Sequence, residues 1–160
     1  MNIDPNKLID GYVFNILNFL LSEKSQKVLG LLHPYFVTFA IAFLVLGYIF
    51  KLPQKLNREF VLFEATFVML SFFSGKILSV YLKKHSLPEE AMKVLHHHEI
   101  AADILIFLYI PVFIMFFLIS KIKSLQKFND FLYTVVGFIA LYLYYTGKNL
   151  IFDYKVAAIW

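Results

Sequence analysis

The chain contains no cysteine, and that absence removes several chemistries at once. Disulfides, thiolate metal sites, iron–sulfur clusters and covalent c-type haem attachment all require thiols. Charge is scarce as well. Asp, Glu, Lys and Arg make up 16% of the 160 residues, against about a quarter in ordinary soluble domains. Glycine occurs six times and proline five, so there is no room for a glycine-rich phosphate loop or a proline-rich linker. No nucleophile–base constellation, nucleotide motif or internal repeat is evident, which makes a redox carrier or subunit a better expectation than an independent enzyme. The net charge of +4 is dispersed through short loops and does not form a nucleic-acid surface.

Apolar side chains are abundant. Hydrophobic residues make up 60% of the chain and phenylalanine alone numbers 19, more than the interior of a single soluble domain of this length can hide. A spanning helix needs about 20 mostly apolar residues. Four segments qualify: about Leu31 to Phe50, Phe60 to Leu82, Ile100 to Ile119 and Phe131 to Gly147. Lipid leaves backbone groups unsatisfied outside helices and closed barrels, so the fold class is an all-α integral membrane protein, a four-helix transmembrane bundle. The third helix is expected to start before its span, because Ser86-Leu87-Pro88-Glu89 has the spacing of a capping box. Pro111 lies mid-span and should kink it.

Residues 1–30 read differently from the four-helix domain at 31–160. Asp4-Pro5 looks like a helix start, and Lys7, Gly11, Asn15, Asn18 and Ser22 recur at helical spacing among apolar residues. The segment is expected to form an amphipathic helix lying in the membrane interface. The positive-inside rule gives the compact loops carrying Lys51, Lys55 and Arg58, and Lys121, Lys123 and Lys127, to the cytoplasm. Both termini then lie outside.

All five histidines fall on that outer side. His33 opens the first span, His85 follows the second, and His96, His97 and His98 open the third. Histidine on a membrane-embedded helix is costly without a partner, so this clustering carries the functional reading. A haem held by two imidazoles needs them on different helices, at equal depth and facing each other. His33 and His98 meet that requirement. Small Ala101 and Ala102 lie one turn ahead of His98 and leave space for a flat macrocycle. His97 is the substitute for His98, and His85 is a solvated loop residue. Lys83, Lys84 and Lys148 are placed to neutralise haem propionates.

A metal ion is the competing chemistry, because His96, Glu99 and Asp103 share a helix face that, with His33, would suit zinc or iron. The acids also have a simpler use. Lys76 and Asp103 lie at similar depth on adjoining helices, and an ion pair between them would relieve the desolvation of both. Glu64 is embedded near the opposite face without an obvious basic partner beyond Arg58. It is open to three roles: protonated, reaching to the interface, or assisting protons at a quinone pocket.

The stretch His33-Pro34-Tyr35-Phe36-Val37-Thr38-Phe39-Ala40-Ile41-Ala42 resembles the opening signature of the small bacterial membrane proteins catalogued as domain of unknown function 2231. That family opens its first span with His-Pro-x-x-Val-His-Phe-Pro-Ile-Ala and closes its last with Gly-Gly-x-Leu-Val-Tyr followed by Gly-Val. Here the closing segment is Gly147-Lys148-Asn149-Leu150-Ile151-Phe152 and then Lys155-Val156, so the resemblance covers about residues 32–156. Thr38 stands where the family has its second histidine, Ala40 where it has proline, and Lys148 and Lys155 where it has glycines. A ligand set that uses the second histidine is therefore not intact in this chain. The resemblance implies a bacterial inner-membrane location and, by association with Rieske and c-type cytochrome domains, redox surroundings.

Together these features lead us to expect a membrane electron-transfer protein that binds haem b near one membrane face. It would exchange electrons with quinol or a peripheral redox protein, alone or as a homo- or hetero-oligomer. A cofactor-free structural or accessory subunit of a membrane complex is the alternative.

Overall fold

In the computed structural model the described residues are 15, 18, 19, 22–49, 58–85, 87–118 and 123–154. They form four helices: α1 (Glu23–Ile49), α2 (Arg58–Lys84), α3 (Glu89–Leu118) and α4 (Lys123–Phe152). At 1.5 Å per residue, helices of 27 to 30 residues are about 40–45 Å long, against about 30 Å for a hydrocarbon core. All four are long and apolar enough to cross a membrane.

Their outward faces are apolar too. Phe107 is 75% exposed and Phe138 69%, with Phe39, Phe73 and Phe131 also largely uncovered. Water would penalise so much exposed aromatic surface, whereas contact with lipid is compatible with it.

Each helix end has a local cause. Ser22 caps α1: its Oγ accepts a hydrogen bond from the Ser25 amide at 3.3 Å, and Glu23 complements the dipole in the first turn. The helix therefore starts eight residues before the apolar run at Leu31, and a boundary between residues 30 and 31 falls inside it. His33-Pro34 accordingly lies about three turns into α1, not at a helix start. Pro34 cannot donate to the Gly30 carbonyl, yet the helix runs through it. Pro88 precedes α3, and Glu89 pairs with Lys93 at 2.7 Å in its first turn. Ser86 and most of the expected interfacial helix over residues 1–30 lie outside the described residues.

The helices associate as two antiparallel hairpins. α1 packs chiefly on α2 and α3 on α4, while α2 with α3 and α1 with α4 touch less closely. Phe67 on α2 stacks on Phe39 and Phe43 of α1 at 5.0 and 5.5 Å, sealing the first hairpin. Between the hairpins two buried clusters form. One contains Ala40, Leu44, Val68, Leu105, Tyr109, Val112, Tyr133, Val136 and Ala140. The other, at the end where α2 turns into α3, contains Tyr81, Leu82, Leu87, Ala91, Leu95 and Leu150. The looser seam between hairpins leaves a cavity next to these clusters.

Candidate functional site

The cavity has a volume of about 430 Å³ and mostly apolar walls. That falls within the roughly 300–1,000 Å³ of small-molecule and cofactor sites. Small residues make the space: Gly30 and Ala40 on α1, Gly75 on α2, Ala102 on α3, Ala140 and Gly147 on α4. His33 and His98 both line it.

Each histidine is held from its own hairpin. His33 Nδ1 lies 2.9 Å from the Ser74 hydroxyl, joining α1 to α2. His98 Nδ1 lies 2.8 Å from the Thr146 hydroxyl, joining α3 to α4. The hydroxyls decide the tautomers. Ser74 Oγ donates its one hydrogen to the Leu70 carbonyl at 2.7 Å, with the Ser71 carbonyl at 3.1 Å. Thr146 Oγ1 likewise donates to the carbonyls of Tyr142 at 3.1 Å and Leu143 at 3.2 Å. With each hydroxyl hydrogen on a carbonyl, the hydroxyl oxygen is placed to accept, an arrangement that suits an Nδ1–H tautomer with the lone pair on Nε2.

A glycine follows each hydroxyl and leaves room for the ring. A Cβ on Gly75 would come within 2.9 Å of His33 Cε1, and one on Gly147 within 3.4 Å of His98 Cε1. A lysine follows each glycine, and both Lys76 and Lys148 line the cavity. The site is thus built twice, from Ser74-Gly75-Lys76 beside His33 and from Thr146-Gly147-Lys148 beside His98. This repeat was missed in the sequence because it is three residues long and its histidine lies on another helix. Its signal was the recurrence of a hydroxyl residue, Gly and Lys on the second and fourth spans.

The other sequence candidates have different surroundings. His96 and His97 are exposed, with rings 6.3 Å apart. His85 is exposed in the turn after α2, its Nδ1 2.9 Å from the Tyr81 carbonyl and its ring 4.2 Å from the Tyr81 ring. Lys83 grips both carboxylate oxygens of Glu99 at 2.7 Å, and Ser79 donates to the same carboxylate. Lys84 is exposed and does not line the cavity. Lys76 Nζ lies 2.6 Å from Asp103 Oδ1, and both side chains stay partly exposed. With Glu99 and Asp103 committed in this way, the alternative ligand set of His33, His96, Glu99 and Asp103 does not assemble. Among the described residues no group of three or more His, Asp or Glu side chains is placed to hold a metal ion.

A second polar cluster lies toward the opposite end of the bundle. Glu64 is 2% exposed. Tyr109 donates to its Oε1 at 3.0 Å and Tyr133 to its Oε2 at 2.7 Å. Tyr133 Oη also lies 3.2 Å from the Leu44 carbonyl. A Cβ on Gly47 would overlap the Tyr133 hydroxyl, so glycine is what lets that phenol reach between the helices.

Comparison with known proteins brings no relative to this site: no family model, curated protein or solved structure matches the chain.

Proposed function

We propose that this is a multi-pass bacterial inner-membrane protein that binds haem b and carries single electrons, with His33 and His98 as the axial ligands. One observation carries the reading. Two imidazoles from opposite hairpins line one apolar cavity, each fixed through Nδ1 by a hydroxyl of its own hairpin. A metal ion held by protein alone needs three or four side chains. Haem brings four ring nitrogens of its own and asks the protein for one or two axial ligands. Two histidines without a third ligand fit that demand.

His33 and His98, one from each hairpin, would hold the group. The Ser74 and Thr146 hydroxyls orient the two rings. Lys148, which lines the cavity, would supply positive charge for a haem carboxylate. Lys83 is engaged by Glu99 and Lys76 by Asp103, and Lys84 does not line the cavity. The bound group supplies reversible one-electron chemistry. The protein's part is orientation, exclusion of water and charge balance.

The site lies toward the bundle end where α2 turns into α3, which the positive-inside rule makes the outward face together with both termini. Electrons would pass there between quinol in the bilayer and a peripheral redox protein. The opening at His33-Pro34 resembles that of the domain of unknown function 2231 family, which has no settled activity and contributes redox surroundings by association only.

The test is a reduced-minus-oxidised absorption spectrum of protein expressed with ample haem. We expect a b-type α band that is lost in His33→Ala and in His98→Ala. A colourless wild-type protein would sink the proposal in favour of a cofactor-free accessory subunit.

A further inference from the structure

The carboxyl of Glu64 sits in a network that can be satisfied in two protonation states without moving a heavy atom. As a carboxylate it accepts from Tyr109 at Oε1 and from Tyr133 at Oε2. As a carboxylic acid it keeps the Tyr109 bond at Oε1. Its Oε2–H then donates to Tyr133 Oη, whose own hydrogen turns to the Leu44 carbonyl 3.2 Å away. One hydroxyl rotation separates the two states, and neither leaves a buried polar group unpaired.

The elements around Glu64 offer the Leu44 carbonyl and Gly47 from α1, Tyr109 from α3 and Tyr133 from α4. Among the described residues no lysine, arginine or histidine forms an ion pair with it. The charge of its ionised form is therefore balanced by nothing nearby and responds to charge elsewhere in the bundle. Asn129, one turn before Tyr133 on α4, has a buried Oδ1 with no partner among the described residues.

We infer that Glu64 is a proton-binding site that loads when an electron enters the histidine site. This rests on the haem reading above. With haem held by His33 and His98, one electron from a one-electron donor would reduce it. One proton from bulk solvent then forms an O–H bond on Glu64 Oε2, and reoxidation releases both. Glu64 and Ser74 are ten residues apart on α2, or about 15 Å along the helix. At an effective dielectric of about 20, one added negative charge at that distance raises the proton affinity of Glu64 about six-fold.

Two measurements test this separately. In haem-free protein, infrared spectroscopy should show a carboxylic C=O band that is lost as the pH is raised and is missing in Glu64→Gln. In haem-loaded protein, the midpoint potential should fall with rising pH across that titration by about 45 mV in total, the electrical equivalent of six-fold for one electron. Glu64→Gln should abolish that fall. If Glu64→Gln does not fold, Tyr133→Phe removes one donor to the carboxylate and should move both titrations to higher pH. A C=O band that persists at every pH would overturn the proton site. A pH slope equal in wild type and Glu64→Gln would overturn the coupling. A colourless protein would refute the haem reading and the coupling with it, while the infrared titration still judges the proton site.

Discussion

Removing the Ser74 hydroxyl isolates what holds His33. Ser74→Ala deletes the acceptor 2.9 Å from His33 Nδ1 and little else. The Leu70 carbonyl that loses the serine hydrogen at 2.7 Å still has its helical backbone partner, so no second buried group is orphaned. The whole penalty therefore falls on the imidazole. Its Nδ1–H is left unpaired beside an apolar cavity, which costs about 1–3 kcal/mol. The ring is also free to move its hydrogen to Nε2, which removes the lone pair aimed at the ligand. At 1.4 kcal/mol per tenfold, haem affinity should fall about 5- to 150-fold, in line with the roughly 10–100-fold typical of second-shell changes at metal sites. The assay is titration of haem-free protein with haemin, followed by the optical band, with thermal melting of both haem-free proteins as control. Thr146→Ala should behave alike through His98, because the half-sites are equivalent. If Ser74→Ala and Thr146→Ala both bind haem as tightly as wild type, neither hydroxyl orients a ligand and the two-half-site description is wrong.

Three other outcomes follow from the same geometry. Gly75→Ala should weaken haem binding more than Gly147→Ala, since its Cβ would sit 2.9 Å rather than 3.4 Å from an imidazole carbon; equal titration curves for the two would contradict it. Lys76→Met should lower the melting temperature by stranding Asp103, at about 1–3 kcal/mol, between the worth of an exposed pair in water and that of a lone acid mid-membrane. Adding Asp103→Asn should restore most of that loss, and an unchanged melt in the single variant would count against the pair. His96→Ala and His97→Ala should leave the absorption spectrum and haem affinity unaltered because both side chains are exposed; loss of the band in either would reassign the ligand on α3.

Legibility from sequence followed the range of the physics involved. Four apolar runs are long-range averages over about 20 residues, and the four helices appear where those runs lie. Their ends were harder to read. Ser22 caps α1 and Lys123 opens α4 eight residues before the apolar run, because polar first turns project past the hydrophobic thickness and look like loop in a hydropathy profile. Lys76 and Asp103 were read at one depth from their distances to helix ends, and they meet at 2.6 Å. Lys83 was read as free for a ligand but grips Glu99, sixteen residues away, because the chain reverses between them.

What the amino-acid sequence determined alone is the class of solvent and the helical period. Composition fixes how much apolar surface must be covered, and periodicity fixes which residues share a depth. That was enough to bring His33 and His98 to one level. Only the tertiary structure decided what each of them faces. Ser74 and Thr146 became their partners, and Tyr109 and Tyr133 became the donors to Glu64, because helices from distant parts of the chain turned those side chains into shared space. A hydrogen bond is decided within a few tenths of an ångström and a few tens of degrees. Helix rotation, set by the whole packed bundle, controls that tolerance, and no local run of residues encodes it.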